Sequence, residues 1–356
     1  MKRTGYLFES ICSFENLYKA FRKAIKGSGK TQDACRFHFN LEKELFKLKE
    51  ELETDSYHPA RYRYFKIFDP KERIISVAPF RDRVVHHALV QILEPVIDRT
   101  FIYDSYATRK NKGTHRAIKR AQRFLKSNYY YLKTDIAKYF DSIDHDILLN
   151  LVEKKIKDKK VFLLVERIIR NSDTSRGLEA GKGLPIGNQT SQFFANVYLN
   201  PLDHFLKDNL GVKRYVRYMD DMVVFSRSKK YLKRMLKKME IFLADCLGLV
   251  LNYKATILNS RLHGLPFLGF RIFPNLIRIK QENLQRMKKR MQKRMVEFQK
   301  DLILEEKFVM SMRSMFEHMG FADSCRLRSC LVPTLEHRNE KWASQGKNDV
   351  SHGQVS

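Results

Sequence analysis

The amino-acid sequence predicts an α+β fold, with helical blocks toward both ends and short strands between them. Three observations predict it. Apolar residues recur at helical spacing through the first third, as Phe14, Leu17, Phe21 and Ile25 and again as Phe37, Leu41, Leu45, Leu48 and Leu52. Short alternating runs such as "RYRYFKIF", "RIISV" and "YYYLKTDI" carry the strand period of two. From about residue 281 to 332 helical spacing returns.

In chain order, "GSGKT" (27–31) resembles the end of a phosphate-binding loop. The glycine which that motif needs five residues before Gly29 is Ala24, and a helix precedes it instead of a strand, so an interhelix linker is expected. Arg61 to Val77, broken by "DPKE", reads as a basic β-hairpin. The next helix buries Val84, Val85, Ala88, Leu89, Ile92, Leu93, Val96 and Ile97; of its adjacent His86 and His87, one should face the core and one solvent or phosphate. "DSYATRKNKGTHRA" is a basic loop leading into another helix, and "YYYLKTDI" is a strand ending at Asp135. Helices at about 145–156 and 160–170 precede the glycine-rich "GLEAGKGLPIGN" and a long helix from near Thr190, with Phe193, Phe194, Val197, Tyr198, Leu202 and Phe205 inward. "RYVRYMDDMVVFS" (214–226) is a hairpin with Asp220 and Asp221 at its tip. A helix carrying Leu232, Met235, Leu236, Met239, Phe242 and Leu243 stops at Gly248, and strands follow in "LVLNYKATIL", "FLGFRIF" and "LIRIK". The last helical block sets Leu284, Met287, Met291, Met295 and Phe298 opposite a basic face of Arg286, Lys288, Lys289, Arg290, Lys293 and Arg294. Beyond about 338 the chain is polar and expected to fray.

Charge narrows the function. Against 40 acidic residues stand 68 basic ones, a formal net charge of +28, which points to a polyanionic partner; aromatic and apolar residues among the basic segments favour nucleic acid over a membrane surface. No apolar run reaches the roughly 18 to 20 residues of a membrane span, and the N-terminus lacks a signal-peptide apolar region, so a cytoplasmic location is expected. Five scattered cysteines without a CxxC pair, and histidines without ligand spacing, suggest neither a disulfide framework nor a zinc site.

Asp220 and Asp221 pose an electrostatic problem. Two unit charges about 4 Å apart repel by roughly 4 kcal/mol at an effective dielectric near 20. A solvated turn would screen them; a shared cation would use them. A two-metal phosphoryl-transfer site needs carboxylates from a second segment, and Asp135 at the end of its strand is the best source. Asp141, Asp144 and Asp146 read as caps and first-turn acids of the following helix. Two Mg²⁺ ions, with Mn²⁺ as substitute, suit all-oxygen ligands.

The order of motifs now resembles that of reverse transcriptases over roughly residues 60 to 335. "KTDIAKYF" is similar to the first catalytic motif, "GLPIGNQTSQFFANVYLN" to the nucleotide- and template-cradling motif, "YMDD" to the second catalytic motif, "GLVLNYKA" to the motif with a mobile lysine, and "FLGFRI" to the primer grip. The resemblance is strongest to reverse transcriptases of diversity-generating retroelements, within the group II intron-like bacterial superfamily, on "IGNQTSQ": Ile186 stands where retroviral and intron enzymes have glutamine, and Gln192 where proline is common. "SMFEHMGFADSCRLR" resembles the thumb ending, with Glu317 in place of the usual glycine.

The resemblance implies a right-hand polymerase fold: a helical extension (1–56), fingers (57–131), a palm with an antiparallel sheet (132–275, with a finger-like helical insertion at about 145–182), a helical thumb (276–337) and a polar tail (338–356). It leaves no room after the thumb for a ribonuclease H or nuclease domain, so nicking and template removal are expected from elsewhere. It implies metal ligation at Asp135, Ile136, Asp220 and Asp221, and Lys254 as the acid that protonates pyrophosphate, against the alternative of a simple phosphate or solvent contact. Arg73 and Lys71 would meet the triphosphate, each against the alternative of a solvated hairpin edge. Phe140 would be the steric gate against a ribose 2′-hydroxyl, against the alternative of core packing, and Ile186 and Gly187 would lie at the nucleotide. Template and primer contacts are implied at Arg109, Gln192, Tyr218, Met219, Leu268, Gly269, Lys289, Arg290 and Lys293. Implied partners are template RNA, cDNA or DNA primer, dNTPs and a basic oligomeric accessory variability protein, with error concentrated at template adenines. Three alternatives stay open: a retron or antiphage-defence reverse transcriptase, a catalytically idle RNA-binding protein on the same scaffold, and an RNA-synthesising polymerase, which Phe140 disfavours.

Overall fold

A computed structural model of the protein describes residues 5–29, 31–68, 72–171 and 179–331. The tail expected to fray, and most of the "DPKE" turn including Lys71, lie outside these residues. Two units are distinguishable: one takes residues up to Ala117 and Tyr130–Leu258, the other Ile118–Tyr129 and the chain from Asn259 onward.

The first unit opens with four helices, α1 (Phe8–Cys12), α2 (Phe14–Ala24), α3 (Gln32–Phe39) and α4 (Leu41–Glu53). Ser13 and Thr31 cap α2 and α3 by accepting from Asn16 and Ala34 backbone amides, so "GSGKT" ends as a helix-capping linker. Strands β1 (Arg63–Ile67) and β2 (Arg73–Val77) form the antiparallel basic hairpin, with Arg63 opposite Val77. Helix α5 (Phe80–Asp98) packs on α2 and buries Val84, Val85, Ala88, Leu89, Leu93 and Ile97. His86 faces the core as expected, but His87 is half-buried instead of facing solvent.

Helix α6 (Thr114–Ser127) leads to β3 (Tyr130–Thr134), followed by the short α7 (Tyr139–Ser142), α8 (His145–Glu153), α9 (Lys159–Arg170) and the long α10 (Gln189–His204). Asp144 caps α8, accepting from the Asp146 and Ile147 amides, and Asp146 pairs with Arg170 at 2.7 Å; both acids serve structure. Strands β4 (Tyr215–Tyr218) and β5 (Asp221–Ser226) form the acidic hairpin, and α11 (Lys229–Leu247) ends on Gly248 at φ 60°, a left-handed cap. With β6 (Ile257–Ser260) these strands make a sheet in the order β4-β5-β3-β6. "LVLNYKATIL" departs from the expected single strand. Only Leu251 bridges to Ile136, and Tyr253–Ala255 coils into a 3₁₀ turn before β6 begins.

In the second unit, β7 (Leu265–Phe267), β8 (Phe270–Ile272) and β9 (Ile277–Ile279) form a three-stranded antiparallel sheet. Leu268 at φ 49° and Gly269 at φ 85° make the two-residue β7–β8 turn, which needs positive φ at both positions. Helices α12 (Gln281–Gln299) and α13 (Glu305–Gly320) close on the methionine stripe, where Met291, Met315 and Met319 form a buried cluster flanked by Leu284, Met287 and Phe316. Of the stripe, Met291 is buried and Leu284 and Met287 pack on its cluster, while Met295 and Phe298 are half-buried outside it. The architecture is the mixed helix and sheet of a right-hand polymerase.

Candidate active site

Strand register brings the two acidic segments together. β3 pairs antiparallel with β5, Lys133 opposite Val223 and Thr134 opposite Met222. One further step sets Asp135 beside Asp221, although 85 positions separate Asp135 from Asp220 in the sequence. Because side chains alternate along a strand, Lys133, Asp135, Asp221 and Val223 share one face, while Thr134, Met222 and Arg217 share the other. The turn between Tyr218 and Asp221 consists of Met219 and Asp220, with Met219 at φ 57°. A left-handed, non-glycine residue there costs of order 1 kcal/mol or more and must be held by its surroundings.

All three carboxylates are half-buried. Burial, then the charges of Asp221 and Asp135, push the Asp220 carboxyl up to about 6, against a hydrogen bond from its own backbone amide and the opposing Lys133 charge. Lys133 Nζ lies 2.7 Å from Asp221 Oδ1. Among the described residues no three His, Cys, Asp or Glu side chains form a ready metal-holding group. The donor set nevertheless suits Mg²⁺: carboxylate oxygens only, from adjoining strands, with negative charge in excess.

The opposite face carries an ion pair that charge patterning alone did not single out. Arg217 and Asp203 of α10 are both fully buried, joined at 2.5 Å from Nη2 to Oδ2 and at 2.8 and 2.9 Å from Nε. Tyr215 donates to the same carboxylate at 2.9 Å, and Arg217 donates to Asn196 Oδ1 at 3.0 Å. Its Nη1 also donates to the Met219 carbonyl at 3.1 Å, fastening the strained residue beside Asp220. Tyr218 meets the Thr114 hydroxyl at 3.1 Å. The available signal was an arginine inside the apolar strand "RYVRYM", which only a buried acid could accommodate.

The other expected residues divide by their surroundings. Phe140, on α7, is half-buried and edge-on to Tyr139 with centroids 5.6 Å apart, so one face packs on the core. Ile136 is buried and bridged to Leu251. Arg73 is exposed at the start of β2, and Lys254 is exposed on the 3₁₀ turn. Ile186 accepts from the Ser76 amide at 2.8 Å, tying the glycine-rich loop to β2. Gly187 has φ 117°, and a Cβ there would come within 2.9 Å of Ile75 Cγ2 and 3.1 Å of the Ser76 carbonyl. The β1–β2 hairpin is thus itself sufficient reason for glycine. Arg109 is committed inside the protein: it pairs with Asp98 at 2.5 Å, donates to the Ile102 and Ser105 carbonyls, and stacks on Phe101. That geometry makes it a staple of the loop after α5. Gln192 is exposed on α10. In the second unit, Gly269 accepts from the Lys280 amide and Asn283, and Lys289, Arg290 and Lys293 are exposed on α12 opposite buried Met291.

Comparison with known proteins places this geometry in a family. The chain is 26% identical over 294 residues to Protein YkfC of Escherichia coli (strain K12), covering 71% of this chain and 76% of that protein. To the group II intron-encoded protein LtrA of Lactococcus lactis subsp. cremoris it is 28% identical over 199 residues, 54% of this chain and 33% of that protein. To the putative COX1/OXI3 intron 2 protein of Saccharomyces cerevisiae it is 23% identical over 64% of this chain and 34% of that protein. The chain thus spans about a third of the length of these two intron proteins. Among solved structures, apo telomerase from Candida tropicalis aligns with a TM-score of 0.49 and 12% identity over 64% of this chain and 49% of that one. The family model described as reverse transcriptase (RNA-dependent DNA polymerase) matches residues 68–272, more than half of the sequence and the whole of the acidic sheet, and the chain therefore belongs to the reverse transcriptase family.

Proposed function

We propose that the protein is an RNA-directed DNA polymerase that copies template RNA into cDNA by two-metal phosphoryl transfer, in the cytoplasm and in the manner of diversity-generating retroelements. The observation that carries the reading is the register that sets Asp135 beside the Asp220–Asp221 turn. Bound by Asp135, Asp220 and Asp221, with Ile136 adjacent, Mg²⁺ or Mn²⁺ would supply activation of the primer 3′-hydroxyl and charge neutralisation on the triphosphate. Burial and then the charges of Asp221 and Asp135 raise the Asp220 carboxyl to about 6, and a bound cation would favour its charged form.

The remaining roles rest on this chain's own groups. Phe140 offers its free face to the sugar and excludes a 2′-hydroxyl by contact. Exposed Arg73 meets the triphosphate from β2, and Lys254 donates a proton to departing pyrophosphate; Lys71 would join Arg73 but lies outside the described residues. In the second unit the basic face of α12, with Lys289, Arg290 and Lys293, would meet phosphates of the template or primer, as would Leu268 and Gly269 by their backbone; in the first unit Gln192, Tyr218 and Met219 would contact template or primer. On this reading residues 57–131 are fingers, 132–275 palm and 276–337 thumb, and the accessory variability protein is a partner.

Ile186 supports the diversifying type. Its carbonyl is engaged by Ser76, and its aliphatic side chain presents shape without a hydrogen bond to the incoming nucleotide. Primer extension on RNA with dNTPs tests the activity, and its absence with Mg²⁺ and with Mn²⁺ refutes it. Sequencing the cDNA tests the type: Ile186→Gln should lower misincorporation at template adenines, and an unchanged error spectrum would exclude this role.

A further inference from the structure

We propose that Lys133 is an internal counter-cation of the carboxylate cluster, a positioning residue that holds Asp221 until a divalent ion displaces it. The inference rests on the metal-site reading of Asp135, Asp220 and Asp221 above. Lys133 sits two residues before Asp135 on β3, so both side chains leave the same face of the sheet. Its register partner Val223 lies two residues after Asp221, which makes Lys133 and Asp221 diagonal cross-strand neighbours. Nζ reaches Oδ1 at 2.7 Å, with the lysine side chain only 13% exposed and the aspartate 25% exposed.

This contact sits among carboxylates that strand register makes adjacent. Asp221 is engaged by an ammonium group, which neutralises one charge and holds the carboxylate toward β3. A divalent ion brings twice the charge and accepts several oxygens at once, so it outcompetes the lysine when Asp135, Asp220 and Asp221 converge. Divalent-ion affinity is therefore lowered by the work of breaking the Lys133–Asp221 pair, and the metal-free protein is spared three uncompensated acids in one half-buried patch.

The test uses the full chain without nucleic acid and titrates Mn²⁺, read by loss of the free-ion electron paramagnetic resonance signal. Lys133→Met should bind Mn²⁺ about tenfold more tightly than the parent protein, the order expected for removing one competing charge at close range. Lys133→Arg, which keeps the charge, should stay near the parent value. In an Asp221→Asn background the Lys133→Met effect should shrink to less than half, because the close pair is already broken. Should Asp221→Asn abolish binding while Lys133→Met leaves the affinity unchanged or weaker, the counter-cation role is overturned and the metal site stands. Should Asp221→Asn leave Mn²⁺ binding unaltered, the metal-site reading itself fails and takes the counter-cation role with it.

Discussion

The two faces of the sheet that carries the acidic turn treat charge in opposite ways. On the face toward α10, Arg217 and Asp203 are fully buried, and every strong donor and acceptor between them is matched. On the other face, Asp135, Asp220 and Asp221 are half-buried with Lys133 as the cation beside them, and Asp220 is pushed up to about 6. One side is neutral and closed, the other negative and in deficit. A buried charge that serves architecture is neutralised within the chain, whereas the excess at this strand end is only partly offset, by Lys133.

That contrast can be broken from either side. The largest effect is expected on the open face: Asp220→Asn should reduce Mg²⁺-dependent dNTP incorporation by at least about 1,000-fold, while the metal-free protein becomes slightly more heat-stable because one of three repelling charges is gone. A variant that loses stability along with activity would mean that the acid is structural. On the closed face the signs reverse. Arg217→Met should lower unfolding free energy by about 3–5 kcal/mol in urea, because it strands Asp203 in the interior, and adding Asp203→Leu should restore more than half of that loss. Equal and additive losses would show that the pair is not a unit.

A smaller effect sharpens the comparison with a third kind of buried titratable group. His86 is buried on α5 with no hydrogen-bond partner at either ring nitrogen among the described residues, and burial, aided by His87 and Arg83, drives it down to about 3. Its folded-state value lies below the ordinary 6.5, so as pH falls the unfolded chain takes up the proton first. Stability from the neutral ring is complete above pH 6.5 and drains away between about 6.5 and 3. His86→Leu should therefore spare about 2 kcal/mol of the loss between pH 7.5 and pH 5, read as a flatter dependence of the urea midpoint on pH. A parallel dependence in both proteins would show that His86 is not the group responsible.

Much of this was legible one segment at a time. The helical spacing of Phe14, Leu17 and Phe21, the alternation through "YYYLKTDI", and two acids between apolar runs each report a local period, and the chain adopts those periods. The motif resemblance implied a template contact for Arg109, while its partners at Asp98, Ile102 and Ser105 are visible only when the loop folds back on α5. Gly187 likewise sits flush against Ile75 and Ser76, more than a hundred residues away, a contact no local pattern encodes.

The alternation of helix and strand, the positive charge and the three acids at two strand ends can be read without coordinates, because periodicity and composition are properties of neighbouring residues. Which charges are balanced cannot be read that way. Arg217 finds Asp203, and Lys133 finds Asp221, through register and packing between segments distant along the chain. Whether a charge is architecture or chemistry depends on the distance to its counter-ion and on the water excluded around it, and both quantities exist only once the chain has folded.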